Sequence, residues 1–308
     1  MLKYILAFFL AASSAFAAEL PATPANILVV FAQAKPGDVL RPVGDFSVVV
    51  LQAKTFSPPL VVEASEATFQ AVILKGVSGV RWTGGTFNTL AKGRDALNVN
   101  AGRDLVFEGL TVQGDGTAGG VAFRDSQDVA LVASRLFRPR IGIATVNVVR
   151  ARIVGNLIMG WAADGIGLAA TSDSLISRNV LLDPIKLEES IHVDGIQGYF
   201  TGVTANQNVT VSYNTVWGRT QGVFFNKYTT YPMATGINIE GNIVTTDAAN
   251  GTSVDSDGTS ALRNNRVFTL PGASWPAQVY APNKATTRCG NVAEAYLGWR
   301  AVVDSPCP

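Results

Sequence analysis

A repeat that can be read in two registers constrains this chain more than any other feature. Apolar segments built around an asparagine recur as Ala151–Ile158 (ARIVGNLI), Ser174–Leu181 (SLISRNVL), Val209–Val216 (VTVSYNTV), Ile237–Val244 (INIEGNIV) and Ala261–Phe268 (ALRNNRVF), with the asparagine at 156, 179, 214, 242 and 265. Gly85, Leu110 and Ser134 hold the same place upstream, so successive steps are 25, 24, 22, 23, 35, 28 and 23 residues. A second column, x-Gly-Ile or x-Gly-Val, appears at Gly119, Ile141, Asp164, Asp194 and Gln221, with looser copies at Asp95 and Asn250. From Asp95, Gly119, Ile141, Asp164 and Asn250 to the next anchor of the first column is 15 residues each time. A unit of this length with short alternating strands cannot bury its apolar face alone, whereas stacked copies close a common interior. The spacing predicts a solenoid of parallel strands, its copies about 4.8 Å apart and its roughly nine or ten coils making a rod on the order of 45 Å long.

Over about Gly37 to Pro271 this repeat resembles the right-handed parallel β-helix proteins of the pectate-lyase-like superfamily, and Lys35-Pro-Gly-Asp38 is similar to the first coil of many of them. The resemblance implies an all-β, single-stranded right-handed parallel β-helix with short helical caps; the handedness comes from the resemblance alone. The chain then divides into a signal peptide at 1–17, an N-terminal cap segment at 18–36, the β-helix at 37–271 and a C-terminal cap at 272–308. The recurrent asparagines read as scaffold, each in a left-handed turn and hydrogen-bonded to its copies above and below.

The ends carry their own signals. Lys3, the apolar run Tyr4–Ala12 and the small-x-small site Ala15-Phe16-Ala17 have the form of a secretory leader. No other stretch approaches the roughly 20 apolar residues of a spanning helix, so the reading is a secreted or periplasmic protein without a membrane span. That compartment lets Cys289 and Cys307 pair as a staple, and Asn291 with Glu294 reads as the N-terminus of a short helix over Val292–Arg300. Thr23-Pro24 marks a helix running to about Lys35, although Ile27–Phe31 also fits a strand.

Composition removes several classes of function. With 47% hydrophobic and 15% charged residues the chain has ample core material and is not disordered. A net charge of +1 gives no field for a nucleic-acid backbone. One His and two Cys exclude a zinc site built from several such ligands, and leave chemistry mostly to carboxylates.

Breaks in the repeat mark where loops have been added. Asn179 to Asp194 is 15 residues against 8 from Asn156 to Asp164, Asp194 to Asn214 is 20 against 15, and Gln221 to Asn242 is 21. The insertions lie within Leu181–Ser190, Gly198–Gln207 and Asn226–Met233, and bring Lys186, Tyr199, Phe200, Lys227, Tyr228 and Tyr231 to one region. Between the first two lies Ile191–Gln197. Its His-x-Asp-Gly-Ile-Gln segment resembles a motif of β-helix proteins that act on or bind polysaccharides, and its Asp-Gly is similar to the corresponding strand of polygalacturonases. The Asp-Asp pair, Gly-His-Gly segment and Arg-Ile-Lys triplet of polygalacturonases are missing, as is the Asp-Pro-His-Glu run of alginate epimerases.

In this register Asp164 and Asp194 occupy one position on adjacent coils, where two close carboxyls cannot both ionise cheaply and so supply an acid and a base. Gln197 and Gln221 are candidate contacts for sugar hydroxyls, with Lys186, Lys227, Tyr199 and Tyr228 as further substrate contacts, and Trp161 is a candidate stacking platform. His192 and Arg219 hold equivalent places on adjacent coils and suggest a second reaction, β-elimination on a uronic acid, with a cation on the carboxylate and His192 as base. No cofactor is required; Ca²⁺ held by Asp164 and Asp194 would be a sparse set against six to eight oxygen ligands. Plainer readings stand beside these: Asp-Gly as a turn pair, and Arg219 and Lys227 as solvated surface charges. The expectation is a secreted enzyme cleaving an acidic glycan by hydrolysis or β-elimination at Asp164, Asp194, His192 and Arg219; the alternative is a non-catalytic glycan-binding or cell-surface β-helix protein.

Overall fold

A computed structural model describes residues 17–187, 192–199, 204–225, 233–256, 259–283, 286–294 and 302–308. Residues 1–16 of the candidate leader, most of the third insertion, including Lys227, Tyr228 and Tyr231, and Phe200 lie outside the described residues. The chain is a parallel β-solenoid of about 11 turns among the described residues, slightly more than the spacing suggests. The additional turns come from the ends. Glu19–Ala22 pairs in parallel with Val39–Pro42, and Gln278–Tyr280, Thr287–Cys289 and Val292–Glu294 continue the three strand stacks beyond Pro271. The C-terminal cap proposed at 272–308 therefore contains a further coil.

Seven strands of one stack carry the site: β1 (Asp95–Asn100), β2 (Gly119–Val132), β3 (Ile143–Val154), β4 (Asp164–Ser177), β5 (Asp194–Tyr199), β6 (Gln221–Phe225) and β7 (Asn250–Val254). Each pairs with the next in parallel, and the register aligns Leu97, Val121, Ile143, Ile166, Ile196, Val223 and Thr252 as one interior ladder. All seven are buried, so each coil supplies the apolar surface that covers its neighbours. Near the N-terminal end Phe46, Phe69 and Phe87 stack at 4.8 and 5.3 Å, filling the interior with rings.

The asparagine column is scaffold, with a different geometry from the expected one. From Asn179 onward each asparagine amide accepts from the backbone N–H and side-chain amide of the preceding copy and donates to a carbonyl inside the coil: Asn179 N and Nδ2 both donate to Asn214 Oδ1 at 2.9 Å, and Asn214 Nδ2 donates to Ile176 O at 2.9 Å. The left-handed residue is the one before it, at Gly155, Arg178, Tyr213, Gly241, Asn264 and Gly290. Asn291 extends this ladder, accepting from Asn265 N at 2.9 Å, and does not cap a helix. Val292–Glu294 is a strand, with Val302–Val303 antiparallel to it, and the Cys289–Cys307 disulfide ties the returning tail. A helical reading of Val292–Glu294 loses to the stacked backbone already offered by Arg266–Thr269. At the other end the predicted helix exists as α1 (Ile27–Gln33), starting later than Thr23 and burying Ile27 and Phe31.

The x-Gly column also has a physical cause. A Cβ on Gly120, Gly142, Gly165, Gly195 or Gly222 would stand 2.2, 2.3, 2.6, 2.7 and 2.0 Å from the carbonyl oxygen of the next coil's glycine. Close coil stacking, rather than a turn conformation, demands glycine here. The residue before it is thereby released from any turn role.

Candidate active site

The pairing partners run Asp164 to Asp194 to Gln221 along the outward edge of β4, β5 and β6. Asp194 is 2% exposed and its Oδ1 is buried with no hydrogen-bond partner among the described residues. Burial, and then the charge of Asp164, pushes the Asp194 carboxyl up to about 7. Asp164 is half-buried; burial pushes it up to about 6, and Arg140 opposes the rise. Arg140 immediately precedes Ile141, which is how it reaches the next coil's carboxyl.

Two further outward rows lie beside this edge. One aligns Asn98, Ala122, Ala144, Gly167, Gln197 and Phe224; the other aligns Asn100, Arg124, Val146, Ala169 and Tyr199. The small residues in the middle coils make a floor between longer side chains at either end. A Cβ on Gly167 would meet Asp164 Oδ2 at 3.3 Å and the Tyr199 hydroxyl at 3.5 Å, so both groups converge over that glycine. Burial and the Asp164 charge push the Tyr199 hydroxyl up, while Arg124 pulls it down. Beyond Arg124, an Nη2 to Asp95 Oδ2 contact of 3.3 Å joins it to Asp95, which also accepts from Asn98 Nδ2 at 2.7 Å; Asn100 Nδ2 donates to Asn98 Oδ1 at 2.6 Å.

At the other side of the Asp194 edge, Lys186, His192, Arg219 and Gln221 line one open cavity of about 550 Å³, with Pro184 and Asp247. The first insertion reaches it because Ile185 N donates to Trp161 O at 2.8 Å and Pro184 packs where a Cβ on Gly218 would fall, 2.2 Å from its Cδ. Gln221 is fixed from both ends: its Oε1 accepts from Asn250 Nδ2 at 2.6 Å and its Nε2 donates to His192 Nδ1 at 2.8 Å.

The sequence-derived residues therefore divide into two adjoining groups. Asp164 and Tyr199 converge over Gly167 with Asp194 one coil from Asp164, and Lys186, His192, Arg219 and Gln221 gather in the cavity. Gln197 lies in the row between Gly167 and Phe224, and Trp161 is completely buried, so it is no sugar platform. Lys227 and Tyr228 fall outside the described residues. Arg124, Arg140 and Asn98 escape motif reading, since they lie outside both columns of the repeat, whereas Asp95 stands in the second column as one of its looser copies. Among the described residues no three of His, Cys, Asp and Glu gather about one point.

The fold is similar to that of an alginate lyase from Paenibacillus sp. str. FPU-7, with TM-score 0.62 and 15% identity over 87% of this chain and 99% of that one. It is also similar to PfbA, a surface adhesin of Streptococcus pneumoniae, with TM-score 0.56 and 9% identity over 86% of each chain. No family model matches the chain, and no curated protein matches it. Identities this low show a shared fold alone.

Proposed function

We propose that this chain is a secreted or periplasmic enzyme that cleaves an acidic polysaccharide in the groove over β2 to β6, with Asp164 and Asp194 as its acid–base pair. A fold shared with both a lyase and an adhesin decides nothing about activity, so the reading rests on the site. The observation that carries it is the buried, unpartnered Asp194 carboxyl one coil from Asp164. Two carboxyls raised to about 7 and about 6 divide the labour near neutral pH. Asp194 holds the proton and delivers it to the glycosidic oxygen, while Asp164 is ionised and acts on water or on the anomeric carbon. Tyr199 and Gln197 line the same groove as sugar contacts.

β-Elimination is the second reading, favoured by the Lys186, His192 and Arg219 cavity, whose cations suit a uronate carboxylate. Against His192 as its base stands the Gln221 amide, which engages its Nδ1 at 2.8 Å. The test is incubation of the protein with acidic and neutral polysaccharides, measuring reducing ends beside the ultraviolet absorbance of unsaturated uronate. Reducing ends alone are the expected result. New absorbance transfers the chemistry to elimination, and binding without either signal transfers the protein to the non-catalytic class. The disulfide fits an oxidising compartment.

A further inference from the structure

The strands that follow the asparagine column, one per coil from Thr111–Gln113 to Val292–Glu294, form a side of the rod distinct from the site strands. Its inward residues Leu136, Ile158, Leu181, Val216, Val244 and Val267 are completely buried. Its outward positions fall in two rows, and these are largely apolar as well. One row runs Phe137, Met159, Leu182, Trp217, Thr245 and Phe268; the other, two residues earlier on each strand, carries Leu157, Val180, Thr215 and Ile243 between Arg135 and Arg266. Parallel strands that are apolar on both sides belong to sheets covered on both faces. Here Trp217 and Ile243, in the middle of the face, remain 43% and 44% exposed, and Tyr213 at the adjoining corner 57%. A flat apolar face centred on a tryptophan and rimmed by arginines has the composition of a protein interface, and its aliphatic row offers nothing to sugar hydroxyls.

The dimensions and charges of the face suit a second copy of the chain. Eight strands about 4.8 Å apart make it about 38 Å long, and with the corner beside them it is about 15 Å wide, roughly 600 Å² per partner and at the low end of specific interfaces. Two ways of pairing the face with itself differ in charge. With the rods antiparallel and fully overlapped, each row faces itself reversed, which sets Arg135 against the partner's Arg266. With the rods parallel, about a two-fold axis running along them, the two rows face one another coil by coil. Arg135 then lies over the partner's Phe137, Arg266 over the partner's Phe268, and Glu294 one coil from the partner's Arg266. A guanidinium over an aromatic ring is attracted, whereas opposed like charges repel.

We propose that this face is the interface of a weak, reversible homodimer of parallel rods centred on Trp217. The proposal is independent of the enzymatic reading: the site strands lie on another side of each coil, so the grooves of both copies stay outside the interface and run in the same direction.

The test is sedimentation equilibrium from low micromolar to millimolar protein, with thermal melts to establish that each variant is folded. The parent protein is expected to pass from monomer to dimer across this range. Trp217→Asp and Ile243→Asp, both at exposed positions, should each raise the dissociation constant about tenfold or more, while Leu28→Asp, on the exposed side of α1, leaves it unchanged. Should Trp217→Asp fail to fold, Ile243→Asp carries the test. Arg135→Glu should weaken the dimer severalfold by removing the contact with the partner's Phe137; a dimer that it strengthens has Arg135 facing the partner's Arg266, which overturns the parallel arrangement. Dimerisation that neither Trp217→Asp nor Ile243→Asp weakens overturns the proposal. So does a parent protein that stays monomeric throughout, and if Trp217→Asp then weakens binding of a polysaccharide, the face belongs to a glycan instead.

Discussion

At the scale of single residues, the consequence of burying a carboxyl beside another is a proton held where neutral water would remove it. In the proposed mechanism Asp194 works protonated and Asp164 ionised, so kcat/KM is expected to peak between about 6 and about 7 and to fall on both sides, as Asp164 gains a proton below and Asp194 loses one above. Asp194→Asn should lower kcat about 10²–10⁴-fold with little change in binding. Stability moves the other way. Both carboxyls bind their protons more tightly in the folded chain than in the unfolded one, where an aspartate titrates near 3.9, so the fold weakens as pH rises from about 4 to about 7. Raising Asp194 from 3.8 to about 7 corresponds to an upper bound of about 4 kcal/mol at pH 8. Asp194→Asn should therefore melt above the parent protein at pH 8 and together with it near pH 4, as scanning calorimetry at the two pH values would show. A variant that is less stable at pH 8 would mean that Asp194 holds the fold rather than strains it.

At the scale of the element, the ladder of asparagines explains why a rod of short strands keeps its register. Asn214 satisfies four groups at once, two donors of Asn179 and the acceptors on Ile176 and Asn242. Asn214→Ala leaves these buried groups unpaired and is expected to destabilise the chain by about 2–4 kcal/mol, read from denaturant midpoints, whereas Asn208→Ala, on an exposed bond to Asp173 and at φ 51°, should cost only about 1 kcal/mol, from its left-handed backbone. This ladder is the part of the fold most legible in the sequence, because one residue type recurs at one spacing for one physical reason. The stacking of Asp164 on Asp194 was legible for the same cause: the glycine after each is required by the next coil's carbonyl, which fixes the register. Arg124 and Arg140 were not, since rows that face solvent admit many residues, and only side-chain reach across coils reveals which of them meet. The helix expected over Val292–Arg300 does not form at Val292–Glu294, because an asparagine followed three residues later by glutamate has the form of a cap and Asn291 was already committed to the ladder; its remainder at 295–300 lies outside the described residues.

At the scale of the whole molecule, a solenoid is nearly one-dimensional: each coil contacts only its neighbours, so the ends must be closed and a fault at one end stays there. The C-terminal end is closed by the returning tail. Asn291 has no further asparagine to meet; its Nδ2 donates to Asp304 Oδ2 at 2.8 Å, Asp304 N donates to Asn291 O at 2.9 Å, and Arg288 holds the same carboxylate at 2.8 Å. Asp304 thus stands in for the missing next coil, and the Cys289–Cys307 bond keeps it there by closing a separation of 18 residues. The site on β4 and β5 lies several coils inward. Replacing both cysteines by serine should accordingly raise amide exchange in Thr287–Cys289 and Val292–Glu294 by the free energy of a lost cross-link, about 3 kcal/mol for a loop of this size, and leave Asp164–Ala169 and Asp194–Tyr199 protected. Glycan binding should be unchanged in that variant. Loss of protection at Asp194–Tyr199 together with the terminal coil would mean that the rod opens as one unit, and that its end closure is part of what holds the acid–base pair in register.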